Sequence, residues 1–256
     1  MSTSILYEHP LNERMRTFLR LEHLFERVAF FTAQPGHQWP ARAAIEGLLD
    51  IITITARSDI KQELLKEIDR NLTSLLRISN QQEIDHQALN GVIADLEQVA
   101  TNLHELSGAV GASTREDPLF KAITQRSSIP GGACSFDLPS YQYLLGQSPQ
   151  ALDARLQDWA APLLPVSKAI SMLLSLARTS ATPKRQQATQ GFFQETLDAQ
   201  VPIQLIRIAL DRDQPIFPEV SGHKNRFTVR FMTIGDDNRS RQCEQDLHFQ
   251  LTCCVF

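Results

Sequence analysis

The apolar residues of the first half of the chain recur at helical spacing. Asn12 is a good N-cap, and Met15, Phe18, Leu19, Phe25 and Val28 follow at steps of three or four residues or their multiples. This predicts an amphipathic helix running to about Thr32 with one buried stripe. Ile45, Leu48, Leu49 and Ile52 fall at i, i+3, i+4 and i+7 and predict a second helix over Pro40 to Ala56. The β-branched run Ile51-Ile52-Thr53-Ile54-Thr55 opposes it locally. Ser58-Asp59 offers the cap of a third helix, with Leu64, Leu65, Ile68, Leu72, Leu75 and Leu76 at helical spacing to Ile78. A fourth spans Glu83 to Leu106 and carries Ile84, Leu89, Val92, Ile93, Leu96, Val99 and Leu103.

Two glycines in Ser107–Ser113 end this regime with a loop, and a short helix is expected over Asp117 to Gln125. Ile129-Pro130-Gly131-Gly132 is a turn signal leading into Cys134-Ser135-Phe136, which reads as a strand before Leu138-Pro139. Helical spacing returns from Pro149 to Thr179, with a division expected near Pro162 and Pro165. From Gly191 the period drops to two. Strands are predicted over Gly191–Glu195, Val201–Leu210, Asn225–Ile234 and Asp246–Val255, together with a short one at Ile5–Tyr7 that Pro10 stops. The expected class is α+β, a mainly helical domain (12–127 and 138–180) plus a smaller β-sheet domain. N-terminal, middle and C-terminal segments (1–11, 128–137 and 188–256) assemble that sheet domain.

Composition narrows the function. With 256 residues and 42% hydrophobic content the chain can bury a sizeable core, and a formal net charge of −4 opposes whole-protein attraction to nucleic acid or an anionic membrane. The N-terminal run, in which Ile5-Leu6-Tyr7 passes into Glu8-His9-Pro10, lacks the features of a secretory signal and predicts a cytoplasmic location. No run reaches the roughly 18 uninterrupted apolar residues of a membrane span; Leu163 to Leu176 is broken by Pro165, Ser167, Lys168, Ser171 and Ser175. Cys134, Cys243, Cys253 and Cys254 match neither a zinc pattern nor a disulfide framework, so reduced thiols are expected. Cys243, Cys253, Cys254 and His248 offer possible metal ligands, but adjacent strand residues point to opposite faces, so one of Cys253 and Cys254 at most faces a given site.

Catalytic signatures are absent: the chain holds no GxxxxGK[ST], GxGxxG, HExxH or GxSxG. Gly131-Gly132-Ala133-Cys134 with His223 or His248 has the elements of a Cys-His site, but the expected apolar strand favours a buried structural cysteine and the glycines suit a tight turn. No enzyme activity, cofactor or metal is expected. The most informative segment is SGHKNRFTVRFM, Ser221 to Met232. As a strand it puts Phe227, Val229 and Phe231 on one face and Lys224, Arg226, Thr228 and Arg230 on the other, with His223 beside them. Such a face is either a solvated sheet exterior or a receptor for an acidic extended peptide. On the first helix Arg16, Arg20, His23 and Arg27 share a second basic line, interspersed with Glu13, Glu22 and Glu26. That line is either an ordinary solvated face or a docking face.

Five blocks carry a family resemblance: EHPLNERMRTFLRLEHLF (8–25), ELLKEIDR (63–70), SIPGGACSFDLP (128–139), GFFQ (191–194) and SGHKNRFTVRFM (221–232). In this order they resemble the ZapD family of cell division proteins. The resemblance implies a helical domain plus a β-domain and a cytoplasmic homodimer recruited to the midcell division ring. It also implies binding to the C-terminal tail of the filament protein FtsZ, cross-linking its protofilaments into bundles for septation. It carries tail binding onto Lys224, Arg226 and Arg230, with His223 beside them, and filament contact onto Arg16 and Arg20. The chain departs from the family's charged or histidine positions at Pro118 and Gln142. An alternative use of the Lys224/Arg226/Arg230 face is a single-stranded nucleic-acid-binding module, with Phe or His side chains stacking on bases, which the net acidity opposes.

Overall fold

A computed structural model describes residues 4–34, 38–57, 59–78, 85–198, 200–223 and 225–255, with backbone alone for Ile78 and His223. The chain divides into two compact units, one formed by Met1–Leu19 and Leu174–Phe256 and the other by Arg20–Leu173. The fold is α+β, a helical unit and antiparallel sheets.

The predicted first helix is α1 (Glu13–Thr32). Asn12 caps it, its Oδ1 accepting from the Met15 N–H at 2.8 Å. Met15, Phe18, Leu21 and Val28 are buried along it. In the helical unit α2 (Gln38–Arg57) keeps its β-branched tail helical, because Ile51, Ile52 and Thr55 are buried. Then come α3 (Ile60–Ile78), capped by Asp59, and α4 (His86–Glu105), capped by Asp85. The expected start of α4 at Glu83 and the core position of Ile84 lie outside the described residues. Along α3 Leu64 and Ile68 are buried, but Leu76, assigned above to the apolar stripe, is 54% exposed.

Gly108 and Gly111 take positive φ in the expected loop. Two short helices follow, α5 (Ala112–Glu116) and α6 (Pro118–Ser127), the latter capped by Asp117. Past the loop at 128–138 come α7 (Pro139–Leu145) and α8 (Pro149–Ala160), then a 3-10 turn at Ala161–Leu163 and α9 (Leu164–Thr179). Pro162 and Pro165 divide the stretch as expected. Pro149–Thr179 is long and apolar enough by composition to cross a membrane. Leu156, Trp159, Leu163, Val166, Ile170 and Leu173 of this stretch are nevertheless buried in the protein, while Leu164 is 52% exposed.

One expected strand does not exist. Cys134-Ser135-Phe136 lies in a succession of turns within the helical unit, with Phe136 81% exposed and Cys134 exposed rather than buried. The middle segment therefore adds no strand to the sheets. Gly131 takes φ +72°, and a Cβ on Gly132 would meet Arg126 O at 2.6 Å, so this backbone closes on itself instead of extending.

The other unit holds β1 (Ser4–Pro10), β2 (Lys184–Ala188), β3 (Phe192–Thr196), β4 (Ile203–Asp211), β5 (Ile216–His223), β6 (Arg226–Ile234), β7 (Ser240–Gln242) and β8 (Leu247–Val255). One antiparallel sheet has the order β1-β4-β8-β2; the other has β3-β6-β5, with β7 also paired to β6. Ile206, Ile208 and Leu210 of β4, Phe249 and Leu251 of β8, and Phe227, Val229 and Phe231 of β6 meet in one core between the sheets. Phe249 stands 4.8 Å from Phe231 and 5.1 Å from Phe193, ring centroid to centroid. The β2–β3 hairpin turns through Gln190 (φ 48°) and Gly191 (φ 68°), the two left-handed positions of a type I′ turn.

Candidate functional site

Strand β6 alternates as its sequence predicts. Phe227, Val229 and Phe231 are buried, and on the opposite side Arg226 and Arg230 are exposed with Thr228 half-buried between them. The core side chains anchor the strand, so the arginines need no partner to hold them outward. Four residues at about 3.3 Å each separate Arg226 from Arg230 by roughly 13 Å along the strand.

The flanking strands complete the face. Arg230 lies opposite Phe192 of β3 and Glu219 of β5; Arg226 lies opposite Thr196 and His223. Directly opposed antiparallel residues project to the same side, so Phe192, 39% exposed, stands beside the Arg230 guanidinium stem. Sequence reasoning missed Phe192 as a site residue. The signal was present in GFFQ, where Phe193 packs against the core and its neighbour must face outward. Lys224 lies outside the described residues, and His223 is placed by its backbone only, at the end of β5.

Arg16 and Arg20 sit one turn apart on α1. Arg16 pairs with Glu13 at 3.3 Å. Its guanidinium also acts on His9 of β1, whose pKa is lowered first by burial and then by Arg16. His9 is a second residue that spacing alone did not reveal. Arg20 and His23 are exposed. Arg27, the last residue of that basic line, is taken by two carboxylates of α2, Glu46 at 3.1 Å and Asp50 at 3.6 Å.

The four cysteines are free thiols. Cys253 packs against the core between the sheets and Cys254 is buried on the other side of β8, so the pair does not converge. Burial pushes the Cys253 thiol up to about 12, with Glu195 adding to the shift, and the Cys254 thiol up to about 11. Both stay protonated at neutral pH. Cys134 and the His248 side chain belong to different units, and His248 lies on β8 opposite Gln187 of β2.

Residues 19–230 match the family model described as "ZapD: Cell division protein". Over its full length the chain is 42% identical to the Cell division protein ZapD of Methylococcus capsulatus, covering 100% of each sequence. The proteins of the same name from Dechloromonas aromatica and Enterobacter sp. (strain 638) are 38% and 36% identical over 98% and 99% of this chain, covering 99% and 100% of theirs. The chain belongs to the ZapD family. Its role is therefore in cell division. The matched range includes Arg20, Arg226 and Arg230, whereas Arg16 lies before it.

Proposed function

We propose that the chain is a bundling factor of the division ring that binds the C-terminal tail of FtsZ on the outer face of β6. The observation that carries this reading is the pair of exposed arginines, Arg226 and Arg230, held outward by a strand whose alternate residues are all core. An extended tail repeats its side chains every two residues, so carboxylates four apart match the roughly 13 Å spacing of the two guanidiniums. Phe192 gives an apolar tail residue a surface beside Arg230. On this reading Lys224 and His223, which belong to the same sequence block, also bind the tail, and Arg16 and Arg20 make further filament contact. A homodimer presents two tail sites, and two sites joined in one particle bridge two filaments, which is the requirement for bundling and for recruitment to the midcell ring.

The test is co-sedimentation with GTP-assembled FtsZ, intact or lacking its tail. Enhanced pelleting of intact filaments alone is expected. Arg226→Glu replaces an attraction by a repulsion, each worth somewhat under 1 kcal/mol at an exposed site, and weakens tail binding about tenfold. Tail-independent pelleting, or an Arg226→Glu protein that binds as tightly as the parent, overturns the assignment.

A further inference from the structure

Within the helical unit, α2, α6 and the loop at 128–138 enclose a cleft of about 600 Å³. Its floor is apolar: Ile45, Leu49 and Ile123 are each less than a tenth exposed. At its rim stands Trp39, 80% exposed, a large apolar surface left in water. Between Trp39 and the buried Tyr141 lies the Arg42 guanidinium, 5.7 Å and 4.8 Å from the two ring centroids. We propose that this cleft is a recognition site for a short peptide segment carrying one carboxylate next to an apolar side chain.

Charge selects the ligand. Arg27 at the cleft is matched by Glu46 and Asp50, and Arg126 faces Asp137 at 3.9 Å. Arg42 instead donates to neutral oxygens, Nη1 to Ala133 O and Nη2 to Gln142 Oε1, both at a long 3.3 Å. A guanidinium has five N–H donors in a fixed fork, so capacity remains for a carboxylate. These charges balance overall, but among the described residues Arg42 is the one of the three guanidiniums with no carboxylate in salt-bridge range, so the cleft has a place beside it for one negative charge. A polyphosphate or nucleic-acid backbone would bring several and meet Glu46 and Asp50. An apolar side chain next to that carboxylate would settle on the Ile45/Leu49/Ile123 floor under the Trp39 indole.

The site is preorganised. The loop that receives Arg42 is locked by successive turns, Gly132 N–H to Ile129 O at 2.8 Å, Cys134 N–H to Gly131 O at 3.0 Å and Leu138 N–H to Cys134 O at 2.9 Å. Stacking on two rings fixes the guanidinium before any ligand arrives, which lowers the ordering cost of binding. This site goes beyond the tail-binding reading and does not depend on it, since none of its residues is on β6.

Trp39 and Trp159 are the two tryptophans of the chain, and Trp159 is buried, so quenching by neutral acrylamide reads Trp39. The probes are acetyl-Gly-Asp-Phe-Gly-amide and its Asn and Lys counterparts, with inorganic tripolyphosphate as comparison. The Asp peptide is expected to shield Trp39 and move its emission to the blue at millimolar concentration, with the Asn and Lys peptides at least tenfold weaker. Arg42→Gln is expected to abolish the difference between Asp and Asn. Equal shielding by all three peptides in the parent protein overturns the proposal, as does no shielding by the Asp peptide. So does shielding by tripolyphosphate in place of the peptide, or by raised protein concentration alone, which marks a contact between copies of the chain.

Discussion

Glu8 of β1 is the anchor of a three-residue charge cluster, and replacing it with glutamine removes its charge at constant shape. Its carboxylate accepts from Arg178 Nε at 2.8 Å and Nη2 at 2.7 Å, a bidentate pair spanning 170 positions of sequence. Arg207 Nε lies 2.9 Å from the same carboxylate, at an angle too poor for a hydrogen bond, while Arg207 Nη1 reaches Arg178 O at 3.4 Å. The three side chains are 19–24% exposed. Breaking a fully buried pair costs about 3–5 kcal/mol, and partial exposure places this one near the lower bound, at about 3 kcal/mol. Two guanidiniums are then left together without their carboxylate. At about 2–4 °C per kcal/mol for a chain of this size, Glu8→Gln is expected to lower Tm by roughly 9 °C and to speed amide exchange in β4 and β8. The double-mutant cycle with Arg178→Gln should return a coupling of about 2 kcal/mol. A Glu8→Gln protein melting within a degree of the parent would refute the view that this cluster ties β1 to the sheet.

Three further outcomes follow from the geometry. Gly191→Ala places a Cβ against the Cys243 carbonyl at a left-handed backbone position, so a loss of about 2 kcal/mol or more is expected in denaturant unfolding. Iodoacetamide at neutral pH should modify the exposed Cys134 first and leave Cys253 and Cys254, with thiols pushed up to about 12 and 11, unlabelled until the protein unfolds; mass spectrometry of timed digests reads the order. The lowered pKa of His9 means the fold favours the neutral ring, so stability is greatest above the ordinary histidine value of 6.5 and falls as the pH drops below it. His9→Gln should flatten Tm between pH 7.5 and 5.5, and an unchanged slope would assign the effect to other groups.

What the sequence determined by itself is periodic and local. Asn12, Asp59 and Asp117 cap helices because an N-cap hydrogen bond closes over two or three residues. The Arg226/Arg230 face follows from strict alternation in β6, whose buried members leave the arginines no other side. Elements that depend on a distant partner were not legible. β2 (KRQQA) and β5 are outer strands of their sheets, paired on one side only; β2 has no apolar alternation to announce it, and in β5 Pro218 in mid-strand interrupts the signal of Ile216 and Val220. Leu76 continues a helical stripe past the point where anything covers it. Residues 128–138 turn through hydrogen bonds three or four positions apart, so the turn signal at Ile129–Gly132 reached further than the strand read at Cys134–Phe136, whereas the long-range contacts were left to tertiary structure. It alone brought Arg42 to Ala133, 91 positions on, and Arg178 to Glu8. Caps and periods are set by neighbours along the chain; ion pairs, edges and clefts are set by neighbours in space, which no window of sequence contains.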